Sequence, residues 1–461
     1  ILQNIILINV LSSPQRFPNQ IVEKLSGWGG YPKIISEIKK PKTIEELKGF
    51  IKDGSAIARG NGRSYGDSAI SPKNTISMSE FNRFLAFNNK TGLLTVEAGV
   101  LLSDVIKIFL PRGWFPPVTP GTKFVSIGGM VSSDVHGKNH LKSGTFINYV
   151  KWIDLLNSEG EIIRCSREQN KEIFFWTFGG MGLTGIIINI AFSLKPIESA
   201  WIKQKTLIAN NIKEVIEIFE KNLDWTYAAA WVDCSGKGMN LGRSVLMLGD
   251  HAKIYELNKK ARVNPFCIKT KKPISIPLYF PSFFLNKFTI KIFNYFYYLK
   301  GKMSKEYTLV DWDKFFYPLD NVMDWNKIYG KKGFIQFQCV IPLPNATNAL
   351  LKLLRTISQH NSLSFLAVLK RFGKQNTYFS FPMEGYSIAL DFPLNKNNLE
   401  LLNELDRITL ENKGRFYLAK DSRMKASTFL KSDKRIYEYK DFRSQDMKSK
   451  FLSNQSNRLG L

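Results

Sequence analysis

The rhythm of apolar and polar positions changes once along the chain, near residue 196. From Ile34 to Leu194, short apolar runs of strand length alternate with glycine-rich turns, and a helix is predicted over Leu102 to Leu110. Beyond Pro196 the glycine motifs stop, and helical patterns such as Ile212 to Asn222 alternate with strand patterns such as Ile335 to Pro342. This change predicts two domains of different construction.

The length of the chain supports this division, because 461 residues are more than a domain with a single hydrophobic core normally contains. A hydrophobic fraction of 44% is enough to bury sizeable cores. We expect a first domain over residues 1–197 and a substrate-binding α+β domain over residues 198–414. Four widely spaced cysteines predict buried free thiols, and the few histidines form no cluster that would predict a metal site.

The most informative segment is glycine-rich and runs from residue 59 to residue 67. Its glycines allow backbone conformations closed to other residues, so that successive N–H groups can form a concavity that fits a phosphate or pyrophosphate. An arginine can add positive charge, and serine and tyrosine can add hydroxyl donors. The alternative is a tight turn between two strands. The residues assigned to ligand binding in this first glycine segment are Arg59, Gly60, Asn61, Gly62, Arg63, Ser64, Tyr65 and Gly66.

Two further glycine-rich segments lie downstream. The second supplies the candidate ligand-binding residues Pro120, Gly121, Thr122, Ile127, Gly128, Gly129, Ser132, Ser133, His136, Gly137, Asn139 and His140, and the third supplies Gly180, Gly182, Gly185 and Ile186. The third contains a G-x-G-x-x-G pattern, but a helix-like stretch precedes it and a strand-like run follows it. That order is the reverse of a Rossmann site, so we reject nicotinamide binding there. Three such segments suit a dinucleotide that carries a large flat ring.

Together, the segments GNGRSYGD, PGTKFVSIGGMVSSDVHGKNH and FWTFGGMGLTGI resemble FAD-dependent oxidoreductases of the vanillyl-alcohol oxidase type, which carry a PCMH-type FAD-binding domain. Within that family the strongest likeness is to the decaprenylphosphoryl-β-D-ribose 2′-oxidases. It runs from Gly27 to the C-terminal end and includes FFYPLD, GFIQFQCVIP, GYSIALDFP and LAKDSR. The resemblance implies an α+β fold with a substrate domain built around an antiparallel sheet. It also implies a discontinuous FAD domain, to which residues 415–461 return.

The resemblance further implies which residues act. It places Lys420 beside the flavin as the residue most tied to turnover, with Tyr65 and His136 as further catalytic residues. A desolvated lysine can accept a hydroxyl proton or place positive charge near the flavin, whereas the alternative is an ordinary surface lysine. Gln336 and Gln338 share one face of a strand, because side chains two residues apart point the same way. Their amides either bind a sugar or face solvent. The implied substrate-binding residues are Lys138, Trp231, Tyr317, Gln336, Gln338, Lys370 and Ser387.

Two departures from the family pattern matter. Sugar-lactone and alditol oxidases of the wider family carry a histidine, bonded covalently to FAD, where this chain has Arg63. Arginine cannot form that bond, so we expect noncovalent FAD. The 2′-oxidases have asparagine and cysteine where this chain has Ser387 and Ala389, so the sugar preference is left open.

The charge balance is strongly basic, with 65 Lys and Arg against 39 Asp and Glu. No nucleic-acid-binding motif is present, so we expect no nucleic-acid partner. Either a plain compositional bias or attraction to an anionic membrane explains the excess. The apolar run Ile1 to Leu11 is too short to span a membrane. Residues 269–305 interleave lysines with aromatics, which suits either a lipid interface or an amphipathic helix packed on its own domain.

Three functional hypotheses remain. The first is FAD-dependent oxidation of the C2′ hydroxyl of a polyprenyl-phosphate ribose, giving a 2′-keto sugar for a partner short-chain reductase. This would be the first half of an epimerisation to arabinose for the cell envelope, at a peripheral position on either side of the inner membrane. The second is a soluble sugar-lactone or alditol oxidase of the same family. The third is a basic binding protein without redox turnover.

Overall fold

The computed structural model describes residues 20–461 except residues 53, 269–272, 282–283, 361 and 447–449. The apolar run Ile1 to Leu11 lies outside these residues, as do Lys269, Lys271, Lys272 and Phe283 of the basic aromatic stretch. Within the described part of the chain, no helix is long and apolar enough to cross a membrane.

The first part of the chain forms two main sheets. The four-stranded sheet has the order β1-β2-β4-β3, with β4 parallel to both of its neighbours, and the antiparallel five-stranded sheet has the order β5-β6-β10-β8-β9. Strands β7 and β11 form a separate pair. The strands are β1 (Gln20–Leu25), β2 (Ile34–Lys39), β3 (Ala56–Arg59), β4 (Asn74–Ser77), β5 (Phe84–Asn88), β6 (Leu93–Glu97), β7 (Trp114–Phe115), β8 (Val150–Leu156), β9 (Ile162–Ser166), β10 (Ile186–Ser193) and β11 (Lys195–Pro196).

Short helices connect these strands. They are α1 (Ile44–Lys52), α2 (Leu102–Phe109), α3 (Ile127–Ser132), α4 (His140–Ser143) and α5 (Lys171–Thr177), with 3₁₀ turns at Leu110–Arg112 and Phe146–Asn148. The helix predicted over Leu102 to Leu110 is confirmed to within one residue, because its apolar positions recur at helical spacing and bury one face. Helix α5 precedes the third glycine segment and β10 follows it, so the order that argued against a Rossmann site is confirmed.

The second part of the chain is built on one eight-stranded antiparallel sheet, in the order β16-β12-β14-β13-β19-β20-β18-β21. Two short strands, β15 and β17, form a parallel pair beside it. The strands are β12 (Trp201–Ala209), β13 (Tyr227–Val232), β14 (Ser244–His251), β15 (Ile274–Ser275), β16 (Tyr307–Asp311), β17 (Val322–Met323), β18 (Phe334–Pro342), β19 (Ala367–Phe372), β20 (Gly385–Pro393) and β21 (Arg415–Phe416).

Helices cover one face of this sheet. Apolar residues of alternate strand positions, such as Phe337, Leu369 and Ile388, pack there against α6, α10 and α11. The helices of this part of the chain are α6 (Ile212–Glu220), α7 (Lys259–Val263), α8 (Lys287–Met303), α9 (Trp312–Phe316), α10 (Leu343–Gln359), α11 (Lys396–Glu411), α12 (Ala426–Ser432), α13 (Arg435–Asp446) and α14 (Asn454–Leu459), with 3₁₀ turns at Gly238–Asn240, Ile254–Glu256 and Trp325–Tyr329. Helix α8 packs on the opposite face of the sheet, against Ile208, Trp231 and Val245. The predicted α+β class and antiparallel sheet are confirmed.

The C-terminal segment touches both parts of the chain. Strand β21 extends the large sheet through the pair Cys339 and Phe416. Further on, Ala56 of β3 donates to Lys450 O at 2.8 Å and accepts from Leu452 N at 3.1 Å. These are the contacts that a discontinuous first domain needs. The boundaries at residues 197 and 414 stay predictions.

The first glycine segment packs directly on this C-terminal segment. Tyr65 N donates to Ala419 O at 2.9 Å. A Cβ at Gly66 would lie 2.1 Å from Asp421 O and 2.7 Å from Ser422 Cα, closer than a methyl group can approach a backbone. Glycine at residue 66 is therefore required by the close approach of the two segments.

Replacing Gly66 with alanine is expected to destabilise the protein by about 1–3 kcal/mol, because the added methyl overpacks this contact. Gly49→Ala is the matched control, since Gly49 lies in α1 with no atom within 4 Å of the added carbon. That control is expected to stabilise by about 0.5–1 kcal/mol. The midpoint of urea unfolding measures both. Equal midpoints for the two variants would contradict the packing argument.

Candidate functional site

The three glycine segments meet in space. Asn61 Nδ2 of the first donates to Phe124 O beside the second at 2.7 Å. A Cβ at Gly60 would lie 2.0 Å from Ser126 Oγ, so these two segments are in direct contact. Met181 N of the third donates to Ser132 O of the second at 2.9 Å. The fold thus assembles one site from stretches that are far apart in sequence.

The glycines of this site serve two purposes. A Cβ at Gly180 would lie 2.2 Å from Trp176 O, and one at Gly185 would lie 2.7 Å from Leu156 O, so close packing alone explains both. Gly121 is different, because no atom lies within 4 Å of the position its Cβ would take. There the backbone is open to a ligand.

Several predicted ligand residues have partners within the protein. Arg59 Nη2 donates to Ser26 O at 2.9 Å, and Ser132 Oγ donates to Gly128 O at 3.0 Å. Asn139 Nδ2 donates to Pro117 O, and His140 Nδ1 accepts from Gly373 N. The side chains of Ile127 and Ile186 belong to hydrophobic cores, so these residues offer a ligand only their backbone.

Arg63 is held by aromatic rings. Its guanidinium carbon lies 4.2 Å from the ring centre of Trp28 and 5.5 Å from that of Phe124. Burial lowers the pKa of Arg63, while the nearby carboxylates of Asp320 and Asp324 raise it. Arg63 is therefore a stacked cation at the rim of the first glycine segment.

Buried polar atoms without a protein partner test whether these residues fit FAD. Among the described residues, they include Thr119 Oγ1, Asn139 Oδ1, His136 Nδ1 and Tyr317 OH. A buried polar atom without a partner is costly, so such atoms commonly mark the place of a ligand or of water. The ring carbonyls and nitrogens, ribityl hydroxyls and phosphates of FAD bring the complementary donors and acceptors. The residues present fit the cofactor.

The sheet face opposite α6, α10 and α11 is polar where it is formed by β18, β19 and β20. Gln336 and Gln338 of β18 lie on this face, as the two-residue period predicted. Ser387 of β20 lies directly opposite Lys370 of β19. Gln338 Nε2 donates to Ser387 Oγ at 3.2 Å and lies 3.2 Å from His136 Nε2. This contact joins the second glycine segment to the large sheet.

His136 is buried and neutral. Burial, followed by the positive charge of Lys370, holds the pKa of His136 well below its usual range. Its Nε2 faces the Gln338 amide, while its Nδ1 has no partner in the described part of the protein. A neutral imidazole in this position can orient a ligand by hydrogen bonding, and it resists taking up a proton.

Three lysines converge on the polar face. Burial lowers the pKa of Lys138 to about 7, that of Lys370 to about 8 and that of Lys420 to about 7, and Lys370 lowers the other two further by charge repulsion. Lys420 Nζ lies 3.9 Å from the centre of the Tyr65 ring. Lys138 Nζ donates to Phe315 O. Crowded, poorly solvated ammonium groups favour an anionic ligand, such as a phosphate.

Two predicted substrate residues are aromatic. Tyr317 is fully buried, and its hydroxyl is one of the unpartnered atoms. The Trp231 ring lies 4.6 Å from the ring of Tyr297 in α8. The site is thereby in contact with the helix of the basic aromatic stretch.

Asp391 belongs to this site and escaped the sequence analysis. It lies opposite Gln336 in the sheet, is almost fully buried, and accepts a hydrogen bond from the Gln336 amide. Burial raises the pKa of Asp391 to about 7, and the nearby charge of Lys420 opposes that rise. The available signal was a carboxylate at an inward position of an otherwise apolar strand.

Comparison with known proteins agrees with this geometry. Residues 37–166 match the FAD binding domain family. The chain is 34% identical to decaprenylphosphoryl-beta-D-ribose oxidase of Mycolicibacterium smegmatis, over 97% of this chain and all of that protein. It is also 27% identical to L-gulonolactone oxidase of Bos taurus, over 40% of this chain and 42% of that protein. A 28% identity to cytokinin dehydrogenase 1 of Arabidopsis thaliana covers 36% and 29% of the two chains.

Asp391→Asn is expected to lower the pKa of Lys420 by about one unit, because it removes the negative charge that favours the ammonium form. In protein labelled with ¹³C-lysine, the Lys420 resonance is identified by its loss in Lys420→Arg and is titrated with pH. Asp224→Asn is the control, since the Asp224 side chain is exposed to solvent. An unchanged Lys420 titration in Asp391→Asn would show that the two groups do not interact.

Proposed function

Because this chain belongs to the FAD-dependent oxidoreductase family that includes decaprenylphosphoryl-β-D-ribose oxidase, we propose that it oxidises the C2′ hydroxyl of a polyprenyl-phosphate ribose. The product is the 2′-keto sugar. The observation that carries the proposal is the convergence of Lys138, Lys370 and Lys420 on a buried polar face beside the glycine segments. A phosphorylated sugar needs both the positive charge and the polar groups of that face.

The three glycine segments would hold the FAD dinucleotide. Gly121 leaves its backbone open, and Tyr65 and His136 lie where the segments face the large sheet. Bound FAD would supply the acceptor for the hydride that leaves the hydroxyl-bearing carbon of the substrate. The side chains of this chain would bind the substrate and accept its hydroxyl proton.

Lys420 would accept the hydroxyl proton, and Asp391 would influence the charge of this lysine. Burial lowers the pKa of Lys420 to about 7, so its neutral amine forms more readily than that of a solvated lysine. The amine can accept the hydroxyl proton, and the ammonium can stabilise negative charge that develops beside it. Burial raises the pKa of Asp391, and its carboxylate, when ionised, favours the ammonium form of Lys420.

The remaining groups would bind the substrate. Lys370 and Lys138 are placed to meet the phosphate, because their burial leaves their charge poorly solvated. The amides of Gln336 and Gln338 and the hydroxyl of Ser387 present donors and acceptors to the sugar. Trp231 and Tyr317 would add aromatic contacts to the substrate.

The alternative functions have weaker support. The sugar-lactone oxidases match this chain over less than half its length, and Arg63 takes the place of their flavin-linked histidine. A soluble lactone would also leave the phosphate-binding lysines without a purpose. A basic binding protein without turnover does not explain a partly buried lysine and a buried aspartate whose pKa values both lie near neutrality.

The proposed product requires a second enzyme. A 2′-keto sugar becomes an arabinose when a hydride returns to C2′ from the opposite face, which is the reaction of a short-chain dehydrogenase/reductase. The two steps together would epimerise ribose to arabinose for cell-envelope glycan synthesis. A lipid-linked substrate would suit a peripheral position at the surface of the inner membrane, on either side.

Lys420→Ala is expected to keep FAD bound but to slow bleaching of the flavin by a prenyl-phosphoribose analogue roughly 100-fold or more. The reason is the loss of the group placed to accept the hydroxyl proton. Anaerobic stopped-flow absorbance measures the rate. Lys431→Ala is the control, because Lys431 is exposed in the same C-terminal segment. Bleaching at the normal rate in Lys420→Ala would remove the role assigned to Lys420.

FAD is expected to leave the protein completely on acid precipitation, because Arg63 offers no atom for a covalent flavin bond. The absorbance of the supernatant and of the redissolved pellet measures the two fractions. Flavin retained in the washed pellet would contradict noncovalent binding.

A further inference from the structure

Helix α8 has two opposite faces. Ile290, Asn294 and Tyr298 recur at intervals of four and are buried against the large sheet. Asn294 Nδ2 donates to the buried carboxylate of Asp233 at 2.7 Å, which anchors this face. The sequence left open whether α8 packs on its own domain, and the structure shows that one face does.

The other face of α8 exposes large apolar side chains to solvent. Phe288 is 71% exposed, Phe296 is 61% exposed and Met303 is 79% exposed. Exposed apolar residues of the preceding loop continue this patch. The α8 surface consists of Leu278, Tyr279, Phe284, Phe288, Ile292, Tyr295, Phe296, Leu299 and Met303. A contiguous exposed apolar patch of this kind is typical of an interaction site.

Charge identifies the partner that this surface fits. Residues 257–305 contain eleven Lys and Arg and no Asp or Glu. At 100° per residue, Lys291 and Lys302 border one side of the apolar stripe and Lys300 borders the other. Lysines beside exposed aromatics suit an anionic lipid headgroup layer, where the rings enter the acyl boundary and the ammonium groups meet phosphate. A second copy of this chain would bring like charges together.

Aromatic rings connect the α8 surface with the site. Phe293 of α8 lies 4.8 Å from Phe365, which lies 6.5 Å from Tyr329. Tyr329 stacks on Phe334 at 4.4 Å, and Phe334 lies 5.3 Å from Tyr65, the ring under Lys420. On the same side of α8, Tyr297 stacks on Phe293 at 5.9 Å and contacts Trp231. The helix therefore spans from solvent to the walls of the substrate site.

We propose that the α8 surface inserts its aromatic side chains into an anionic lipid bilayer and holds the mouth of the site at the membrane. The biological purpose of this membrane binding rests on the proposed function, because the prenyl chain of the substrate would remain in the bilayer while its sugar reaches Lys420. Membrane binding itself depends only on the exposed side chains and the lysines that border them.

Vesicle sedimentation of the full-length protein tests the proposal. Vesicles of phosphatidylglycerol and phosphatidylcholine in equal parts are compared with vesicles of phosphatidylcholine alone. The double variant Phe288→Ser and Phe296→Ser is expected to bind the anionic vesicles at least tenfold more weakly than the unmodified protein. The double variant Lys291→Gln and Lys302→Gln is expected to lose most of the preference for anionic lipid. Leu85→Ser with Tyr437→Ser is the control, since both residues are exposed and apolar but lie outside α8.

Unchanged vesicle binding by the phenylalanine variant would overturn the proposal, and so would equal binding to both kinds of vesicle. A change of oligomeric state in that variant, seen by light scattering, would assign the surface to a second copy of the chain instead. Flavin bleaching by a short-chain prenyl-phosphoribose analogue separates the two ideas. Normal bleaching with absent vesicle binding contradicts only the membrane inference, whereas absent bleaching in the unmodified protein contradicts the proposed function.

Discussion

The backbone hydrogen bond from Tyr65 to Ala419 fixes the spatial relation on which the site depends. It joins the first glycine segment to the C-terminal segment, and Gly66 permits the approach because its missing side chain leaves room for Asp421 O. Arg458 secures the same junction through its ion pairs with Asp67 at 2.8 Å and Asp421 at 2.9 Å. Lys420 follows Ala419 directly, so its ammonium is held over the Tyr65 ring.

Burial near this junction shifts the pKa values of Lys420 and Asp391. Desolvation brings the pKa of Lys420 and that of Asp391 to similar values from opposite directions, since burial disfavours the charged form of each. The carboxylate of Asp391 favours the ammonium form of Lys420 and so opposes part of the shift that burial causes. Lys138 and Lys370 add further positive charge to this face, which suits the anionic substrate proposed above.

Local patterns predicted local structure well. Helix α2, the order of α5 and β10, and the shared face of Gln336 and Gln338 all follow from side-chain periodicity, which is a property of neighbouring residues. Asp391 and the stacking of Arg63 on Trp28 and Phe124 were not predicted, because they arise from contacts between distant segments. The two faces of α8 were similarly undecided until its packing partners were known. The domain boundaries and ligand roles stay predictions, supported by the contacts described above.

The visible absorption spectrum of the purified protein tests the central claim most directly. After incubation with free FAD and gel filtration, one flavin per chain should remain bound, with a spectrum distinct from that of free FAD. A colourless protein after the same treatment would contradict the account, because the glycine segments and the lysine face would then have no flavin to hold.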